Sequence, residues 1–132
     1  MTYRDAKAGD ALPELRPDTI SRKTLALFAG ASGDHQPSHL DIDAARAKGR
    51  EDVIAHGMLM MAFVGRMLTD FAPQERLRAF DARFVAVTPV NVQPVCTGRV
   101  ASVEDGMARL DLQAALPDGK VVVKAWATVD VS

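Results

Sequence analysis

Twelve of the fourteen valines lie from Val85 onward, and this uneven distribution constrains the fold more than any other feature. β-Branched residues favour extended chain, so the C-terminal half is expected to supply a sheet and the N-terminal half the helices. Turn signals divide the valine-rich half. A strand is expected around Arg83 to Val87, stopped by Pro89, and a second over roughly Val95 to Val103, ended by Glu104-Asp105-Gly106. In a third, Ala108, Leu110, Leu112, Ala114 and Leu116 alternate with Arg109, Asp111 and Gln113, the period of a half-buried strand. Pro117-Asp118-Gly119 turns the chain into a fourth. There Val121, Val123, Ala125, Ala127, Val129 and Val131 face one way, and Lys124, Trp126, Thr128 and Asp130 the other. The pattern predicts an antiparallel meander with one wet or ligand-facing side.

The N-terminal half carries helix signals. Ser21 caps a helix through Leu25, Leu27 and Phe28 that should end near Gly30 or Gly33. Asp41 caps a short helix, Ile42 to Lys48, stopped by Gly49. From Gly57 to Phe71 the chain is apolar nearly all round until Arg66, Thr69 and Asp70, the profile of a helix buried on most of its faces. One buried helix with an antiparallel sheet curved around it is an α+β architecture. At 132 residues the chain is expected to form one domain, 1–132, with a core that needs no staples. The lone Cys96 allows no intrachain disulfide and suits a reducing compartment.

Charge and hydropathy narrow the function. Sixteen Lys and Arg against 17 Asp and Glu leave a formal charge of −1, which gives no basis for binding nucleic acid or anionic membranes. The opening Met1-Thr2-Tyr3-Arg4-Asp5 is polar, and the longest apolar run, Met58 to Val64, falls far short of the ~20 residues of a spanning helix. A cytoplasmic protein is expected.

Chemistry-bearing residues concentrate in two places. Asp34 and His39 lie five apart with Pro37 between them, and proline disfavours helix at the residue before it, so a shaped turn is expected. A turn can bring a carboxylate and an imidazole to one pocket, a pairing suited to acid–base work near neutral pH. The plainer alternative is a capping Asp34 beside a packed His39. At the head of the apolar helix stands Ala55-His56-Gly57-Met58-Leu59. A glycine there admits close approach to its N–H, and the helix terminus adds partial positive charge, the ingredients of an oxyanion hole. Here the alternative is tight packing at Gly57 with His56 satisfying a local hydrogen bond. Other chemistries find less support. No cysteine joins the histidines and their spacing fits no zinc pattern, so no metal is expected. Cys96 lacks an evident base.

In this order the two clusters, Gly33-Asp34-His35-Gln36-Pro37-Ser38-His39-Leu40-Asp41 and Ala55-His56-Gly57-Met58-Leu59, resemble the MaoC-like family of hydratases and dehydratases. The family pattern is Asp, four residues, His, then a His-Gly pair opening a buried helix. The segment Arg83-Phe84…Pro89-Val90 resembles the family less closely. The resemblance implies a single hot-dog fold, a long helix wrapped by a curved antiparallel sheet, and a homodimer or a heterodimer of hot-dog subunits. It implies reversible hydration of trans-2-enoyl thioesters, or dehydration of (R)-3-hydroxyacyl thioesters, carried on CoA or a carrier protein. Asp34 and His39 would be catalytic. Gly57, His56, Gln36 and Met58 would contact substrate, and no metal or redox cofactor is required. The alternative is a non-catalytic acyl-thioester-binding or partner-stabilising subunit. Two departures bear on this: Gln36 stands where the family usually has Asn, and Gly65 where some short-chain hydratases carry a hydroxyl residue.

Overall fold

The computed structural model describes residues 2–132. Four α-helices, α1 (Arg22–Ser32), α2 (Pro37–Leu40), α3 (Ile42–Ala47) and α4 (Gly57–Phe71), precede four strands, β1 (Leu77–Phe84), β2 (Val95–Glu104), β3 (Met107–Ala115) and β4 (Val121–Asp130). The strands pair antiparallel in the order β1-β4-β3-β2. Local sequence explains most of the boundaries. Ser21 and Thr24 form a reciprocal capping box on α1, and Gly33 ends it in the left-handed conformation at φ 77°. The Asp41 side chain accepts from the Asp43 and Ala44 N–H groups and starts α3. Between β2 and β3, Asp105 and Gly106 both have positive φ, as a two-residue hairpin turn demands.

Helix α4 lies against one face of the sheet and touches all four strands. Met60, Val64, Met67 and Leu68 are fully buried there, each stabilising the fold by roughly 1.5–3 kcal/mol. They meet small and branched side chains from β3 and β4, among them Ala108, Leu110, Ala114, Ala125 and Val129. At Gly98 a Cβ would lie only 2.5 Å from Leu112 Cδ2 and 3.4 Å from Met67 Cε, so the bare backbone of β2 is what lets the layers close. A long helix packed on an antiparallel sheet in this way is the hot-dog fold, in the α+β class.

Three features depart from the sequence reading. The first strand covers Leu77–Phe84 in place of Arg83 to Val87. A register shift between Leu77 and Ala79 interrupts its alternation, and its small alanines weaken the hydrophobic signal. At its far end the Val85 and Ala86 N–H groups both donate to the Val122 carbonyl, which starts the chain out of the sheet. Secondly, the N-terminal segment covers the outer edge of β2: Gly9, Leu12 and Leu15 donate to the Val100, Gly98 and Cys96 carbonyls. Pro13 and Pro17 hide that edge strand from any pattern search. Thirdly, α4 is not enclosed all round. Met58, Met61, Ala62 and Gly65, spaced as one helical stripe, remain open, with Met58 at 55% exposure.

Among the described residues the outer edge of β1 has no partner strand, and Phe84, Val85 and Val87 stand exposed at its end. Arg76 and Arg78, beyond the C-terminal end of α4, both engage Asp130 at the end of β4. The Ser132 hydroxyl and N–H also bind this carboxylate, and with the two arginines they hold its pKa down to about 2. Among the described residues no helix is long and apolar enough to cross a membrane.

Candidate active site

The left-handed Gly33 releases the chain from α1, and Pro37 starts α2 at its first position, where a missing N–H costs nothing. Asp34 occupies the short connection between them, and α2 presents His39. One ring nitrogen of His39 is committed: Nδ1–H donates to the Ile54 carbonyl at 2.8 Å, while the Ile54 N–H donates to the Ser38 carbonyl at 3.0 Å. In the neutral ring that commitment fixes the tautomer and leaves a lone pair on Nε2. Nε2 lies 3.8 Å from Asp34 Oδ2. The gap is too long for a direct hydrogen bond and accommodates a water oxygen about 2.8 Å from each atom. The Asp34 side chain is 49% exposed and that of His39 11%, so the pair opens outward through the carboxylate.

His56 caps α4 with its backbone, and its ring is 1% exposed. Nε2–H donates to the Asp34 main-chain carbonyl at 3.1 Å. The ring stacks on His39 with centroids 3.9 Å apart and planes at 21°, and Phe28 from α1 meets it edge-on at 4.8 Å. Among the described residues Nδ1 is buried without a hydrogen-bond partner. Burial lowers the His56 pKa and the adjacent His39 lowers it further, against the raising effect of the Asp34 carbonyl and carboxylate. The buried His56 ring lies beneath His39 and lines neither of the cavities around the pair.

Gly57 opens α4, and among the described residues nothing accepts from its N–H. The Phe84 ring covers the glycine: a Cβ there would lie 3.3 Å from the Phe84 ring carbons. His39 and Gly57 share a cavity of about 250 Å³ with Ile54, Phe84, Val87 and Thr88. Asp34 opens on a larger and more apolar cleft of about 530 Å³, walled by Phe28, Phe80 and the open stripe of α4 from Met58 to Gly65. Residues of the site thus line two cavities, each walled in part by the first turn of α4. Met58 lines the larger one. Gln36 lines neither; its amide oxygen accepts from the Ser38 hydroxyl, and its N–H donates to the Asp34 carboxylate at 3.3 Å.

Sequence reasoning missed Phe28, Phe80 and Thr88. The two aromatics look like ordinary core residues, and nothing in their spacing sets them apart. Ligand atoms of Asp34, His39 and His56 lie within 4.8 Å of one another, but the trio does not suit a metal ion. The imidazoles stack nearly parallel, so their in-plane lone pairs run side by side and cannot converge on one centre.

Residues 5–123 match the model of the MaoC like domain. The chain belongs to the MaoC-like family. Among MaoC-like relatives, 3-hydroxyacyl-thioester dehydratase Z of Mycobacterium tuberculosis is 30% identical over 132 residues, covering 96% of this chain and 81% of that protein. The unliganded R-hydratase PhaJ1 from Pseudomonas aeruginosa superposes with a TM-score of 0.87 at 25% identity, over 98% of this chain and 84% of that one. The ChsH1–ChsH2 complex from Mycobacterium tuberculosis contains a chain of the same fold, with a TM-score of 0.83 at 24% identity over 93% of this chain and 96% of that one. At the level of the MaoC-like family, the chemistry is hydration and dehydration of acyl thioesters.

Proposed function

We propose that this protein adds water to trans-2-enoyl thioesters and, in reverse, dehydrates (R)-3-hydroxyacyl thioesters. The observation that carries the reading is the 3.8 Å gap between Asp34 Oδ2 and a His39 Nε2 whose lone pair is fixed by the Ile54 carbonyl. A water held there loses a proton to the pair as its oxygen bonds to C3. The electron pair of the double bond moves toward the thioester, whose oxygen gathers charge against the unpaired Gly57 N–H and the positive end of α4. The proton then returns from the pair to C2, and atoms balance as one water added. The apolar cleft beyond Asp34 suits the acyl chain, and Gly65 in its wall suits the longer or bulkier ones.

The unpaired β1 edge and its exposed Phe84 and Val85 support assembly with a second hot-dog subunit, identical or related. Carriage of the acyl group on CoA or on a carrier protein fits equally.

The test follows loss of the conjugated enoyl-thioester absorbance with crotonyl-CoA and a longer trans-2-enoyl-CoA. Wild type is compared with Asp34→Asn and His39→Ala, whose folding is checked by circular dichroism. Removing one half of an acid–base pair is expected to lower kcat by roughly 10²–10⁴-fold. Absence of wild-type turnover on both CoA substrates and on the carrier-bound equivalents would leave an acyl-thioester-binding or partner-stabilising subunit.

A further inference from the structure

His56 stands outside the chemistry just described, yet its ring is buried, hydrogen-bonded through Nε2 and stacked on His39. Residues 33–36 carry Asp34 in a loop whose hydrogen bonds are otherwise local. The Gly33 N–H reaches Ala29, the Asp34 N–H reaches Ser32, the Gln36 N–H reaches the Asp34 carboxylate, and the Gln36 carbonyl accepts from the His39 N–H. Among the described residues, one hydrogen bond ties this loop to a distant part of the chain: His56 Nε2–H to the Asp34 carbonyl, across 22 residues. The same ring is the stacking floor of His39. His39 is itself oriented by Ile54, two residues before His56, and the unpaired Gly57 N–H comes one residue after it. Residues 54–57 therefore act as one jig. Ile54 aims the imidazole, His56 holds the carboxylate-bearing loop and supports the imidazole, and Gly57 presents the amide.

We infer that His56, as a neutral imidazole with its proton on Nε2, is the positioning residue that sets the Asp34–His39 separation. The inference rests on the hydratase reading for its kinetic consequence but not for its geometry. In the neutral ring only the Nε2–H tautomer satisfies the Asp34 carbonyl, and it leaves Nδ1 as a buried lone pair with no hydrogen-bond partner among the described residues. A second proton on Nδ1 would have no acceptor and would place a charge against His39. The titratable groups facing the ring are His39 on α2 and Asp34 in the preceding loop, and the face toward α1 is closed by Phe28.

Two substitutions separate the two duties of the ring. His56→Phe keeps an aromatic floor for His39 and cannot donate to Asp34. His56→Gln gives up the floor and keeps a donor near the position of Nε2. Misplacing a reacting group by about 1 Å costs on the order of 10²-fold, so His56→Phe is expected to lower kcat roughly 10- to 100-fold with KM within about twofold. His56→Gln is expected to recover most of that loss. A folded His56→Phe enzyme with wild-type kcat, or a folded His56→Gln enzyme no better than it, overturns the inference. A readout independent of turnover guards against misfolding and against failure of the hydratase reading. In 15N-histidine spectra of wild type at pH 7, His56 should appear neutral with its proton on Nε2. Amide exchange at Gln36 should be faster in His56→Phe than in His56→Gln. A protonated His56 or the Nδ1–H tautomer in wild type overturns the inference whatever the kinetics show. Loss of turnover in wild type with these spectra intact would count against the hydratase reading alone.

Discussion

Because the folded state holds the His56 pKa below its ordinary value of 6.5, chiefly by burial, protonation is a route to destabilisation. As pH falls through the ordinary histidine range, the unfolded chain takes up a proton that the folded chain refuses. Stability therefore declines from about pH 6.5 downward and stops declining once the folded-state pKa is passed. Thermal melts of wild type and His56→Gln between pH 7.5 and pH 5 should diverge, wild type losing more Tm on the acid side; parallel curves would show that the ring is charged or solvated. None of this was legible in the sequence. Ala55-His56-Gly57 announces a helix start and a close approach, but the burial of His56 depends on Phe28 and His39, which arrive from other elements. For Asp34 and His39 the spacing alone favoured a capping Asp34 beside a packed His39, and only the paired motifs of the family raised the catalytic pair above it; the structure has the Asp34 carboxylate both accept from the Gln36 N–H and lie 3.8 Å from His39 Nε2.

At the scale of elements, α4 was predicted to its boundary residues, Gly57–Phe71, and β2, β3 and β4 to within a residue or two. Apolar periodicity and Asp-Gly turns are local signals, so they survive without tertiary context. Strand β1 and the N-terminal edge segment were not read correctly, since a bulge and two prolines break the local pattern while pairing partners supply the order. The open stripe of α4 was legible only in part: Met58 and Gly65 were singled out through the family resemblance, while Met61 and Ala62 differ little in polarity from the buried Met60, Val64 and Met67. That stripe carries its own prediction. A Cβ at Gly65 would already lie 3.3 Å from Phe80 Cε2, so Gly65→Leu fills the cleft between α4 and β1. Activity on the longer enoyl-CoA should fall about 10-fold or more relative to crotonyl-CoA, in line with the sensitivity of apolar pockets to added methylenes. Equal losses on both substrates would place the acyl chain elsewhere.

For the whole molecule, the two margins of the sheet are finished differently. The N-terminal segment seals β2, while β1 keeps a free row of backbone donors and acceptors beside exposed Phe84 and Val85. A protein of 14.2 kDa with such a margin is expected to run in light scattering at about twice that mass, or at the mass of one copy plus a related subunit when co-expressed with one. A monomer at micromolar concentration would contradict the assembly. On the proposed function, the two sides of α4 carry separate duties: substitutions along Met58, Met61, Ala62 and Gly65 would change which acyl groups fit, while the residues one step round the helix hold the core. A lineage can in this way change what the protein accepts without first having to rescue its stability.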